Sequence, residues 1–317
     1  MKYKIAFFTE GNFEGKVPRT HPNMRTDLAW QAALESYHYN YNHPHYRPLG
    51  GGYDIGIMIV PKTKPELAFD NFTRIKGSCR KVIVMQEGPR HYWEDYGVEL
   101  QVRYLNLLRD VDAILCHNGD DVAYFKGLSN GNKVDVMQTL IIEDALPILI
   151  ENRKKNGVMI GGNMCSWYGG MVSYIVASNF EVEVFAPSMG RRVEREEELD
   201  IFHLPYMNWK DWMSALAGMK YAVHLMPTKA AGSFALNCAR LGIPCIGYRG
   251  IDTQHFCFPK LSVRDGDVNQ ANELALRLKE DEEFREDVIE EAKQSYKFFK
   301  EEHFLGKMNI IFDDIYR

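Results

Sequence analysis

"KAAGSFALNCARLGIPCIG", residues 229–247, passes through a loop, a helix and a strand in nineteen residues. Ala230, Ala231, Gly232 and Ser233 open it with small side chains. Phe234, Leu236, Cys238 and Leu241 follow as an amphipathic run. Gly242 stops that helix, and 243–247 reads as a short buried strand. Free backbone N–H groups at a helix start suit an anion when no bulky side chain blocks the approach. Close packing of Ala-Ala-Gly-Ser on a neighbouring strand is the plainer reading of the same residues, and the segment alone does not separate the two.

Outward from this stretch, strands and helices alternate along all 317 residues. Near-continuous apolar runs predict strands at 3–9, 54–60, 81–86, 111–116 and 133–138, with helices at 26–37, 98–109 and 119–128. A second series starts afresh with a strand at 157–161 and a helix at 167–178. Strands at 181–186 and 201–204, a helix at 209–218 and a strand at 221–226 then lead into the opening stretch. Helices at about 268–280 and 282–299 and a helical segment at 303–316 end the chain. The pattern predicts an α/β protein of two Rossmann-like, doubly wound domains. They divide as 1–150 and 151–300, the boundary falling in the polar, turn-like stretch within 145–156. A last helix at 301–317 packs back on the first domain. Two such domains place a cleft between the carboxyl ends of two sheets, where ligands bind.

Composition narrows the class. Hydrophobic residues make up 45% and charged residues 26%, ordinary for a globular protein, and the net charge of −5 makes the whole molecule no magnet for nucleic acid or acidic lipid. Residues 62–90 nonetheless carry seven Lys or Arg (62, 64, 74, 76, 80, 81, 90) against three acids (66, 70, 87), a local +4. Six cysteines without a CxxC pair read as reduced core thiols of a cytoplasmic protein. The amino terminus lacks a signal-peptide pattern, and no apolar run approaches the roughly 18 residues of a membrane span. No G-x-G-x-x-G follows either first strand, which disfavours a dehydrogenase.

The strand, small-residue loop, helix and Gly242-Ile243-Pro244 of the opening stretch are similar to the donor-site signature of the GT-B glycosyltransferases, especially the retaining family four. The resemblance covers about 157–300. It puts Gly232 at the second glycine of the pattern, Lys229 where the family has a Glu that contacts the sugar, and Asn237 where it has a Glu that holds the ribose. The seven-residue spacing is kept and both acids are replaced. The amino-terminal half carries two unusual clusters, Arg19–Asp27 and Gln86–Pro89 with Tyr92–Tyr96. These resemble glycosyltransferases of tailed phages, including ones that modify 5-hydroxymethylcytosine in phage DNA. The resemblance implies a UDP-sugar co-substrate, retention of configuration and double-stranded hydroxymethylated DNA as acceptor.

The site residues follow from strand ends and loops. Donor candidates are Gly232, Ser233, Asn237 and Lys229, Gly162 and Asn163 after the strand at 157–161, Arg191 as a source of positive charge, and Tyr206 beside the nucleobase. Gly11 and Asn12, after the first strand, belong under the donor phosphates. Glu87 and His117, polar residues ending two strands, are the catalytic candidates, together with Arg25 and Asp27 at the start of the first helix. Plain structural roles stay open for each: a helix-start acid for Asp27, a core position for His117, a buried tyrosine for Tyr206, a solvated turn for Arg191. The segment Tyr37–Tyr46 interleaves four tyrosines with three histidines and reads as an acceptor loop whose rings stack on a base. Its spacing fits no zinc site. No Asp-x-Asp motif stands where it would hold a donor-bound cation, so no metal is expected. Alternatives are a lipid or polysaccharide acceptor, a sugar-nucleotide epimerase of the same shape, and a nucleotide-binding protein without activity.

Overall fold

Runs of Ile, Val, Phe and Met with both faces apolar can satisfy their backbone only in parallel sheets covered on two sides. The computed structural model, which describes residues 2–11, 13–42, 52–147, 155–188 and 193–317, contains two such sheets of six strands each. Two compact units carry them. Unit 1 comprises residues 1–21, 26–138 and 301–317, and unit 2 comprises 22–25 and 139–300.

In unit 1 the strands are β1 (Ile5–Thr9), β2 (Tyr37–Asn40), β3 (Tyr53–Val60), β4 (Cys79–Gln86), β5 (Ala113–Cys116) and β6 (Lys133–Val136). They pair in the order β2-β1-β3-β4-β5-β6, all parallel. The helices are α1 (Asp27–Ala33), α2 (Glu66–Ser78), α3 (Val98–Asp110) and α4 (Gly119–Leu128). Ile55, Ile57, Met58, Ile83 and Val84 are at most 1% exposed, and each contributes roughly 1.5–3 kcal/mol by burial.

In unit 2 the strands are β7 (Val158–Ile160), β8 (Val184–Ala186), β9 (Phe202–His203), β10 (Tyr221–His224), β11 (Cys245–Tyr248) and β12 (Ser262–Val263). Their order, β12-β11-β10-β7-β8-β9, is the doubly wound order in which the first and fourth strands of the series lie side by side. Helices α5 (Gly170–Ala177), α6 (Trp209–Leu216), α7 (Ser233–Leu241), α8 (Asp252–Cys257), α9 (Val268–Glu280) and α10 (Glu282–Ser295) cover it. The six cysteines are free thiols and buried.

The chain returns to unit 1 as α11 (Glu301–Tyr316), whose Phe304, Met308, Ile311 and Phe312 are at most 1% exposed. Tyr3 stacks on Tyr316 at 5.1 Å and meets Phe312 edge-on at 5.9 Å. Lys133 reaches Asp314 at 2.5 Å, and Arg19 forms a fork with Glu301.

Several elements depart from the sequence expectation. The helix read at 26–37 stops at Ala33, and Tyr37–Asn40 is strand β2 rather than part of a loop. Aromatic side chains at alternate positions suit a pleated, half-buried surface, and the intervening His38 is fully buried. Helix α2 was not foreseen: only Ala68 and Ile75 of its residues are buried, so its apolar stripe is thin. The helix read at 167–178 is broken at Gly169, where φ is +64°, between a short 3-10 turn at Ser166–Tyr168 and α5. The helix read at 282–299 likewise ends as a 3-10 turn at Tyr296–Phe299.

Helix α11 is a structural part of unit 1, so truncating its core must destabilise that unit. Phe312→Ala, at a position with no exposure, should cost about 3–5 kcal/mol in denaturant unfolding. A cost below 1 kcal/mol would show that α11 does not complete the core.

Candidate functional site

The strand order of unit 2 fixes where its loops part. From β7 the chain winds through β8 to β9; from β10 it winds the other way to β12. The loops leaving β7 and β10 therefore diverge from neighbouring strands, and such a switch point is where doubly wound sheets bind ligands. Here the two loops are tied together. The Leu225 amide donates to Ser173 Oγ at 3.0 Å, and Thr228 Oγ1 donates to the Trp167 carbonyl at 2.5 Å.

Each loop ends in a helix with a glycine cap. Gly169 precedes α5 with φ +64°, and Gly232 precedes α7 with φ +72°. At Gly169 a Cβ would sit 1.9 Å from the Leu225 carbonyl oxygen, and at Gly232 2.1 Å from Thr253 Oγ1, so backbone and side chain forbid anything larger. Neither cap supplies a side-chain hydrogen bond, and neither first turn contains an acid. Two helix starts thus present amides and positive dipole ends without a built-in anion.

His224 closes β10 at this point. Its ring lies over Gly161 and 4.9 Å from the Phe234 ring in the first turn of α7, and its Nε2 is buried with no hydrogen-bond partner among the described residues. Burial holds its pKa down at about 4, so the ring is neutral. Lys229 lies against Gly250 with its ammonium 3.4 Å from Asp265 Oδ2. Asn237, inside α7, is 4% exposed. Ser233 is the first residue of α7 and is partly exposed. Gly162 lies against Tyr168, and Asn163, 1% exposed, closes a turn by accepting from the Cys165 amide at 3.2 Å. Tyr206 is 70% exposed in the loop after β9. Arg191 and Asn12 lie outside the described residues.

In unit 1, Glu87 follows β4, and its Oε2 accepts from the Lys62 amide at 3.1 Å. His117 follows β5 and stacks on Trp30 at 5.9 Å with its Nδ1 buried and unpartnered. Burial lowers its pKa to about 4, against a hydrogen bond to the Gln86 backbone that pulls the other way. Gly11 donates its amide to Thr9 Oγ1 at 3.0 Å. His38 Nδ1 lies 2.7 Å from the Phe13 carbonyl, which can only accept, so Nδ1 carries the proton. Nε2 then accepts from Thr9 Oγ1 at 2.7 Å. Asp27 is the first residue of α1 in unit 1, whereas Arg25 belongs to the segment 22–25 of unit 2. That segment docks on the start of α6: Asn23 Oδ1 accepts from the Trp209 amide at 2.8 Å, and Pro22 accepts from the Lys210 amide at 3.1 Å.

The features read as a DNA-facing surface are largely structural. In the aromatic segment, Tyr39 bonds Tyr53 at 2.9 Å and Tyr41 donates to the Ile59 carbonyl at 3.1 Å; residues 43–46 lie outside the described residues. Within the basic stretch, Lys76, Lys81 and Arg90 pair with Asp110, Asp112 and Asp121 at 2.6, 3.0 and 3.1 Å, and Arg80 lies 3.6 Å from Asp54. Trp93 Nε1 donates to Tyr124 and the Tyr124 hydroxyl to Glu94, so the Tyr92–Tyr96 cluster is knitted onto α4. Among the described residues no group of three or more His, Cys, Asp or Glu gathers as a metal site, and no helix is long and apolar enough to cross a membrane.

No family model and no curated protein matches the chain. Solved structures do. Sucrose-phosphate synthase from Thermosynechococcus elongatus aligns at 10% identity over 99% of both chains, with a TM-score of 0.70. HepE from Anabaena, solved with UDP, aligns at 10% identity over 98% of this chain and 100% of its own, with a TM-score of 0.68. An α,α-trehalose 6-phosphate synthase from Burkholderia multivorans aligns at 11% identity over 91% of this chain and 73% of its own, with a TM-score of 0.61. The fold is therefore the two-domain α/β fold of the GT-B glycosyltransferases.

His38, His117 and His224 each have a pKa lowered to about 4 by burial, below the 6.5 of an unfolded chain. Their contribution to stability is complete above pH 6.5 and is lost as pH falls from there through 4, because the unfolded chain takes up the protons first. NMR of the imidazole resonances should show these three unmoved between pH 8 and 5.5. A midpoint near 6.5 for His224 would mean that its ring is not buried as described.

Proposed function

We propose that the chain is a glycosyltransferase that takes a sugar from a nucleotide diphosphate, with UDP-sugars the first donors to consider, and passes it to a hydroxyl. The observation that carries this reading is the pair of acid-free, glycine-capped helix starts at the switch point of unit 2. Breaking the bond between the sugar's anomeric carbon and the diphosphate oxygen leaves charge on the leaving group, and preorganised donors must meet it. The amides at the starts of α5 and α7 are such donors, and Lys229, four residues before α7, brings an ammonium whose charge is shared with Asp265. The fold is shared with a sucrose-phosphate synthase and a trehalose 6-phosphate synthase, and HepE was solved with UDP, which supports both the reaction class and the nucleotide.

Within this reading Asn237 faces the ribose, since its amide can both donate and accept, and Tyr206 lies beside the base. Glu87 orients the attacking hydroxyl in unit 1. The acceptor oxygen bonds to the anomeric carbon, the bond to the diphosphate breaks, and the hydroxyl proton passes to the departing phosphate oxygen. Retention follows from the resemblance to family four. The nucleotide sugar is a co-substrate, and no further cofactor is invoked. Hydroxymethylated DNA, the acceptor that the phage resemblance implies, keeps little of its support. In the described part of the aromatic segment, 37–40 form a strand and 38–41 are buried, and four of the seven cations in 62–90 are paired with aspartates.

Ser233→Trp places an indole at the first position of α7, where the diphosphate would approach. Calorimetry should show UDP binding weakened at least a hundredfold while the thermal unfolding midpoint moves by no more than a few degrees. Unchanged affinity for UDP in this variant would remove the diphosphate from this helix start.

A further inference from the structure

Unit 1 has its own switch point, and the reading of unit 2 leaves its residues unused. In the order β2-β1-β3-β4-β5-β6 the chain turns back between β1 and β3. Phe8 pairs with Met58 and Val60 with Gln86, so Glu10 after β1, Lys62 and Lys64 after β3, and Glu87 after β4 all follow the same end of the sheet, Glu10 and Glu87 opposite residues 60 and 61. They lie near enough for Glu10 to feel the charges of Glu87, Lys62 and Lys64. Among the described residues neither lysine has a carboxylate within ion-pair distance, although Lys76, Arg80, Lys81 and Arg90 of the same stretch all do. Lys62 Nζ instead lies 5.6 Å from the centre of the Tyr92 ring. Burial, and then Glu87, raises the pKa of Glu10, while Lys64 and Lys62 pull it the other way.

We infer that these strand ends bind a phosphorylated polyol, a sugar phosphate, as the acceptor: Lys62 and Lys64 hold the phosphate, while Glu10 and Glu87 accept hydrogen bonds from its hydroxyls. The inference rests on the glycosyltransferase reading for the word acceptor, but not for the site. Two unpaired ammonium groups match the charge of one phosphate dianion. Two carboxylates beside them would repel a bare anion and suit a ligand that also brings hydroxyl donors. A nucleic-acid duplex needs cations spread along its backbone, and the remaining cations of the stretch that would supply them are engaged elsewhere.

The test titrates the full chain, with and without saturating UDP, using hexose 6-phosphates and pentose 5-phosphates, their dephosphorylated parents, inorganic phosphate and a hydroxymethylated duplex. At least one sugar phosphate should bind tenfold or more tightly than its parent sugar and than inorganic phosphate. The double variant Lys62→Ala, Lys64→Ala should erase that preference with UDP affinity and the thermal midpoint unchanged. The inference is overturned if no phosphorylated sugar outbinds its parent, if the preference survives in the double variant, or if only the duplex binds. Failure of UDP itself to bind would count against the donor site in unit 2 and would leave the sugar-phosphate titration readable by itself.

Discussion

Two backbone segments approach too closely for side chains where β7 and β10 end, and the candidate site depends on that approach. Gly169 turns with φ +64° against the Leu225 carbonyl, and Gly232 turns with φ +72° against Thr253. A Cβ at Gly169 would push the two loops apart and displace the start of α5, and one at Gly232 would push the start of α7 off α8. The neutral ring of His224 fills the space between Gly161 and Phe234. The anion site proposed for unit 2 rests on backbone geometry more than on charged side chains.

Unit 1 is built on a different principle. Its strand ends carry charge, and most of its polar side chains are committed to structure. Thr9, Gly11, Phe13 and His38 form a continuous hydrogen-bonded path that joins the exit of β1 to β2. Trp93, Tyr124 and Glu94 do the same for the segment before α3. What is left over at the carboxyl ends of β1, β3 and β4 is a small mixed-charge cluster whose ammonium groups have no carboxylate within ion-pair distance among the described residues. A site of that size is in proportion to a small ligand.

The helix at 233–241 was legible because each local signal agreed: small residues before it, apolar spacing within it, Gly242 at its end. The two-residue β12 is too short to give a continuous apolar run, but most strands of both sheets were legible as such runs. Strand β2 was not, because Tyr37-His38-Tyr39-Asn40 looks polar until His38 finds Thr9 and the Phe13 carbonyl. Helix α2 was hidden by its thin apolar face. At the site, the resemblance pointed to Gly232 and Ser233, but His224 and Gly169 carried no signal: a histidine ending an apolar strand and one glycine of several acquire meaning only when β7 and β10 become neighbours. Of the seven cations of 62–90, four pair with aspartates that lie at Asp54 or beyond residue 109, outside the stretch in which they were counted.

The most direct measurement is a crystal structure of the chain with UDP at a concentration that saturates it in solution. The account predicts the diphosphate oxygens within about 3 Å of backbone amides at the start of α7, beside the loop that leads into α5, with the ribose toward Asn237. A diphosphate bound elsewhere in the chain, or held by side chains alone while both helix starts face solvent, would contradict it.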